Sequence, residues 1–185
     1  METLVLTVIS DDRPGLVATL SASLAARGAT WQRSQLSQLA GKFAGIVEVV
    51  VPADGVDGLV ADLDGLSAEG ITGSTTRTSA ASEAPTHHLT LDLVGADRPG
   101  IVAEVSALLS ARGIGIVELE TFVSEAPMAG GMLFEAHAVL AAPAGADEGE
   151  LRAAMESLAD ELMVDVALAE EFVARIDLTQ ALYYV

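Results

Sequence analysis

The sequence predicts an α+β fold built twice in tandem, each unit running strand-helix-strand-strand-helix-strand. Two observations carry this. The tetrapeptide Asp-Arg-Pro-Gly occurs at Asp12–Gly15 and again at Asp97–Gly100, an offset of 85 residues (97 − 12). The segment from Leu4 to Gly28 matches that from Leu89 to Gly113 at about half its positions, and a self-match at one offset marks one structural unit used twice. Around each copy, alternating apolar residues and apolar residues three or four apart follow in the same order, the periods of strands and helices. The expected division of the 185 residues is 1–79 and 87–169 for the two units, 80–86 for a linker and 170–185 for a tail.

Thr3 to Ser10 alternates as a strand and ends at the polar pair Asp11-Asp12. Asp12 is expected to cap a helix starting near Pro14, since proline lacks the amide that a first helical turn leaves unpaired. Leu16, Leu20 and Leu24 then recur at helical spacing. Arg27-Gly28 stops that helix, with a cation at its negative end and a glycine just past it. The second copy repeats the pattern with Ile101, Val105, Leu109 and Arg112-Gly113.

Two strands follow each helix: Thr30 to Gln38 and Phe43 to Val51, joined at Ala40-Gly41, then Ile114 to Ser124 and Met132 to Ala141, joined by EAPMAGG. Pro52 and Pro143 stand at an offset of 91 (143 − 52), so the second hairpin is about six residues longer. The next helices are anchored by Val56, Leu59, Val60, Leu63 and Leu66, and by Leu151, Met155, Leu158 and Leu162. Closing strands lie near Ile71 to Thr78 and Met163 to Leu168. This order is the ferredoxin-like split βαβ arrangement, an antiparallel sheet with two helices on one face. The apolar third strands suit the sheet centre, and the polar second strand QRSQLSQ suits an edge. SAASEAPT (79–86) reads as a linker, and the apolar tail, with Phe172, Ile176, Leu182, Tyr183 and Tyr184, is expected to dock on its own chain or on a second copy.

Composition narrows the function classes. The net charge is −18 and Lys42 is the only lysine, which disfavours direct attraction to nucleic acid or anionic lipid. With no cysteine, disulfides, thiolate metal sites and cysteine nucleophiles are excluded. The N-terminal residues show neither the basic nor the apolar region of a signal peptide, and no apolar run approaches the ~20 residues of a membrane span. The expectation is a soluble, cytoplasmic chain.

The loop between first strand and first helix is the leading chemical feature. Free amides at the positive end of a helix dipole form an anion site worth up to about 1–2 kcal/mol. Gly15 and Gly100 allow close approach to the backbone, and Asp12 and Asp97 offer carboxylates to an ammonium group. Together these groups can hold both ends of a zwitterionic amino acid. The competing reading is helix-start grammar alone, with Asp12 spent on the cap. Other clusters are weaker. His87 and His88 are adjacent on a strand and point to opposite faces. Glu118 and Glu120 are expected to face Glu135 and His137, a solvated acidic face sooner than a metal site. Asp62 and Asp64 have a phosphatase-like spacing but fall inside a helix. No His-Glu-x-x-His, Gly-x-Ser-x-Gly, P-loop or Rossmann glycine pattern occurs, so no catalytic residue, metal or cofactor is expected.

With Asp-Arg-Pro-Gly between strand and helix in each of two such units, the chain resembles tandem ACT-domain proteins, and within them the glycine cleavage system transcriptional repressor subfamily. The resemblance runs from Leu4 to about Ala169 and includes GATWQRSQLSQLAGKFAGIVEVVV (28–51). It implies sensing of a small amino acid, glycine or serine, at interfaces between ACT units, with the signal passed to a partner regulator or enzyme. The matching positions are Asp11, Asp12, Arg13, Pro14, Gly15 and Leu16, then Ala96, Asp97, Arg98, Pro99, Gly100 and Ile101, with Thr30 and Gln32 at the start of the second strand. Many amino-acid-binding relatives carry asparagine where this chain has Thr30 and Gly115; Gln32 is the amide that can substitute in the first copy. Either the units differ in ligand or one is structural. Trp31 is expected beside the site. Open edges and sheet faces imply a homodimer, and a ligand-free oligomerisation adaptor is the alternative function.

Overall fold

The structure, a computed structural model, describes residues 1–78, 86–126, 130–162 and 164–170, with the side chains of 86, 148, 158, 161, 162 and 170 left aside. The expected linker (apart from the backbone of Thr86), the tail beyond Glu170 and the side chains of Leu158 and Leu162 therefore lie outside the described residues. Contacts divide the chain into Met1–Ser82 and Glu83–Val185.

The first unit comprises β1 (Glu2–Asp11), α1 (Leu16–Ala26), β2 (Thr30–Leu39), β3 (Lys42–Val51), α2 (Val56–Gly65) and β4 (Ile71–Arg77). The second comprises β5 (Thr86–Ala96), α3 (Ile101–Ser110), β6 (Gly115–Glu125), β7 (Met132–Pro143), α4 (Glu148–Leu162) and β8 (Val164–Glu170). The sheets are ordered β2-β3-β1-β4 and β6-β7-β5-β8, antiparallel throughout. The apolar third strands are central and the polar β2 is an edge, as the sequence predicts.

Each core lies between one sheet face and two helices. In the first unit, Leu4, Leu6, Val47, Val49 and Val51 meet Leu16, Leu20, Leu24, Val56 and Leu59. In the second, Leu89, Leu91, Leu93, Ala138 and Leu140 meet Ile101, Val105, Leu109, Leu151 and Met155. Each such Val, Leu, Ile or Met side chain contributes about 1.5–3 kcal/mol on burial. With aromatics at 4% of residues, interlocking aliphatic side chains carry the load.

Gly28 and Gly113 both have φ 68° and end α1 and α3 in the same way. Gly28 N donates to Ala25 O at 3.0 Å and Ala29 N to Leu24 O at 3.0 Å; Gly113 N donates to Ser110 O at 3.0 Å and Ile114 N to Leu109 O at 3.1 Å. This is the Schellman pattern. Arg27 departs from its expected role at the helix end. Its guanidinium grips Asp62 on α2 with two bonds, Nε to Oδ2 at 2.6 Å and Nη2 to Oδ1 at 2.8 Å. Only Arg112 reaches a terminal carbonyl, that of Leu108 at 3.2 Å.

The start of α1 corrects a second expectation. The helix begins at Leu16, with Gly15 at the capping position and no side-chain cap. Pro14 stays in the preceding turn, and Asp12, three residues before the capping position, does not cap the helix. The β2–β3 turn is Ala40-Gly41 with φ 50° and 76°, the signs of a two-residue type I′ turn. The β6–β7 loop is longer, closed by Ala126 N donating to Gly131 O at 3.0 Å.

Candidate functional site

β1 delivers Asp11 and Asp12 to the top of its sheet. Asp11 pairs across the ladder with Lys42, whose ammonium donates to the Asp11 carboxylate and holds it below the usual carboxylate range. Asp12 turns the chain off the sheet, its N–H donating to Gly41 O at 2.9 Å. Its carboxylate is exposed and enters no side-chain hydrogen bond among the described residues. Arg13 reaches sideways to the carbonyl of Glu69, 2.7 Å away, at the end of a short 3-10 turn before β4. Gly15, at φ 96°, swings the chain into α1, and its carbonyl accepts from Thr19 N at 2.9 Å.

The first-turn amides of α1 have no acceptor within the helix. A Cβ on Gly15 would meet nothing within 4 Å, so the backbone here is open to an approaching group. Beside it is a small hollow lined by Val8, Ser10, Leu16, Phe43 and Ile71 among others. Leu16 anchors the loop below. The first loop thus brings together helix amides, a free carboxylate, the arginine and a small side-chain recess.

The second loop is built alike and closed differently. Ala96 ends β5, Asp97 N donates to Met132 O at 2.8 Å, and Gly100 precedes α3 at φ 100°. Pro99 continues the turn, and Ile101 is buried as Leu16 is. Arg98, however, folds back over the helix start, with Nη1 2.9 Å from Glu104 Oε1 and Nη2 2.8 Å from Oε2. Nη1 also donates to Pro99 O at 3.2 Å. A Cβ on Gly100 would lie 3.2 Å from Glu104 Oε1. This carboxylate stands over the backbone at the start of α3 without capping its amides, and the bond to Arg98 holds its pKa low. Glu104 escapes a motif search because it lies outside the tetrapeptide. The signal was available as a difference between the copies, since the repeat aligns it with Thr19.

Thr30 and Gln32 are not brought to the loop of their own unit. Thr30 pairs with Val50 and Val50 with Thr3, whereas the loop leaves β1 after Asp11, about 27 Å away along the strand. Trp31 shares that far position, which corrects its expected place beside the loop, and packs against the core. Gln32 sits where the β2–β3 register shifts, between Trp31 and Arg33, and Val117 repeats this between Ile116 and Glu118.

On the outer face of the second sheet, Glu120 stands opposite His137 and His137 opposite Asp92. Glu135 faces Phe122, so it does not face a glutamate. His137 Nδ1 is 2.7 Å from Asp92 Oδ1. That hydrogen bond, helped by the charges of Glu120 and Glu118, raises the imidazole pKa above its ordinary value. Among the described residues, no group of His, Asp or Glu side chains could hold a metal ion. Asp62 and Asp64 lie on α2, with Asp62 taken by Arg27.

A family model described as "ACT domain" matches residues 2–75 and 87–169. A crystal structure of an "unknown protein" from Galdieria sulphuraria is similar at 33% identity, covering 92% of this chain and 98% of that one with a TM-score of 0.78. That of a "putative glycine cleavage system transcriptional repressor" is similar in fold at 16% identity, covering 90% of this chain and 95% of that one with a TM-score of 0.70. No curated protein sequence matches the chain.

Proposed function

This chain belongs to the ACT-domain family, and from that premise we propose a non-catalytic regulator that binds a small amino acid at its first Asp-Arg-Pro-Gly loop. One observation carries the reading: the backbone at Gly15 is open and Asp12 is free of side-chain hydrogen bonds among the described residues, whereas Glu104, held by Arg98, stands over Gly100 in the second loop, neither helix being capped by a side chain. The ligand carboxylate docks on the α1 amides and its ammonium on Asp12. The recess by Val8 and Ser10 suits a side chain no larger than that of glycine or serine. Thr30 and Gln32 cannot join the loop of their own unit, so they bind ligand only if they come from another one.

The signal leaves through protein–protein contacts of a cytoplasmic homodimer with a partner regulator or enzyme. Shared architecture with the "putative glycine cleavage system transcriptional repressor" supports a co-regulator of glycine and one-carbon metabolism. A net charge of −18 favours action through another protein over DNA contact.

Calorimetric titration with the common amino acids tests this. The expected result is saturable binding of glycine or serine, one per chain, weakened at least tenfold (about 1.4 kcal/mol) in Asp12→Asn. Gly15→Ala is a poor probe, because φ 96° strains any side chain there. No heat from any amino acid, with unchanged melting and elution, would overturn the sensor. The ligand-free adaptor would then stand, a reading favoured by β6, whose Phe122 and Val123 are 62% and 51% exposed.

A further inference from the structure

The outer faces of the two sheets, turned away from the helices, carry different charge. No strand of the second sheet contains Lys or Arg, and the cross-strand register gathers Asp92, Glu118, Glu120, Glu135 and Asp165 on its outer face around His137. The outer face of the first sheet is neutral. Its two carboxylates are each held by a cation of the same face, Glu48 by Arg33 and Asp11 by Lys42. Beside these pairs stand Val5, Ile9, Ile46 and Val50, with Ile9 and Ile46 48% and 46% exposed. Neighbouring hydroxyls are satisfied within the chain. Thr7 Oγ1 and Ser74 Oγ are 2.9 Å apart, and Thr72 Oγ1 donates to Ile9 O at 3.3 Å. Covering the face leaves none of these groups unpaired.

We propose that two copies of this chain pack these first-sheet faces against each other about a twofold axis. This names the surface of the homodimer in the proposed function and rests on that homodimer. Charge and area both favour a second copy as the occupant. At a net charge of −18 two copies repel over most of their surface, and least where acids are cancelled locally. The outer face of the second sheet would repel its own image, since like charges juxtaposed across an interface oppose association. Four strands about 4.8 Å apart and the run from Thr3 to Asp11 make the first face about 19 Å by 27 Å. Two such faces bring together about 1,000 Å² in plan before side-chain relief is counted, the size at which specific interfaces begin. Packed about 10 Å apart, their β-branched side chains interlock as in a sandwich.

Sedimentation of the full chain over a concentration series is expected to show a dimer. Ile46→Lys, which places a cation in each half of the interface, is expected to raise the dimer Kd at least tenfold. Val94→Lys, on the outer face of the second sheet between Glu135 and Asp165, is expected to change it less than twofold. A dimer that Ile46→Lys leaves intact would overturn the choice of face and spare the homodimer. A native chain that stays monomeric would overturn both, and amino-acid binding by that monomer would leave the sensor standing. Isotope-filtered NOE spectra of methyl-labelled native chain mixed with unlabelled chain need no variant. The Ile9 and Ile46 methyls are expected to report protons of the other copy, and intermolecular contacts confined to other methyls would sink the proposal.

Discussion

Gly15 and Gly100, at φ 96° and 100°, set the turn into each helix, but what lies over them decides chemistry. Over Gly15 there is space; over Gly100 there is Glu104. A single position, Thr19 against Glu104, accounts for that difference. Ala40 is the other residue held against its nature. It is the one non-glycine with positive φ among the described residues, 50°, a region costing an L-residue roughly 1–2 kcal/mol. Ala40→Asn, which tolerates a type I′ turn, is expected to raise stability by about 0.5–1 kcal/mol in urea unfolding. A loss would show that the turn is set otherwise. His137 carries a pH prediction. Its folded pKa is raised by the bond to Asp92, so its stabilising contribution is full below 6.5, the ordinary value. It is lost as pH rises through the raised pKa. NMR titration should give a midpoint above 6.5 that falls in Asp92→Asn; a midpoint at or below it would refute the pairing.

Among the elements, β2 depends on one close backbone contact with β3. A Cβ on Gly45 would lie 2.0 Å from Gln35 O and 2.7 Å from Leu36 Cα. Both are backbone atoms, so no rotamer change relieves the clash and β2 must lift from β3. Gly45→Ala should cost about 3 kcal/mol or more, the range of backbone disruption. Gly65→Ala is the control: its backbone is helical, φ −62°, a Cβ there meets nothing within 4 Å, and about 0.5–1 kcal/mol of stabilisation is expected. Equal effects on melting would sink this account. Such close approaches are invisible in the sequence, where both residues are simply Gly. What was readable is what the repeat wrote twice: the helix anchors, the Schellman glycines and the six-residue hairpin extension. The loop also stood out, through its Pro-Gly grammar. Its cap was misread because aspartate before proline suits a helix start, and only the φ of Gly15 shows the helix opening two residues later. Trp31 was misplaced because nearness in sequence to the strand start says nothing about which end of the sheet that start occupies.

For the whole molecule, charge is the property that no single contact reveals. Nine Lys and Arg face 27 Asp and Glu, so even complete pairing leaves two thirds of the carboxylates without a cation. Pairs among the described residues such as Arg27–Asp62, Arg33–Glu48 and Arg98–Glu104 are superficial, with partly exposed side chains, and solvent and salt screen such pairs. Salt acts on both terms, weakening these attractions and screening the repulsion among the unmatched carboxylates. With a Debye length near 10 Å at 0.1 M falling to about 3 Å at 1 M, the more numerous repulsions lose more. Folding should therefore strengthen with ionic strength, by about 1–2 kcal/mol between 0.02 and 0.5 M NaCl if self-repulsion dominates. In a chain of this size that corresponds to a melting temperature several degrees higher. Melting followed by circular dichroism across that series checks it. A fall in melting temperature would mean that the few ion pairs outweigh the net charge, and that a partner would have to match individual carboxylates and could not rely on the field as a whole.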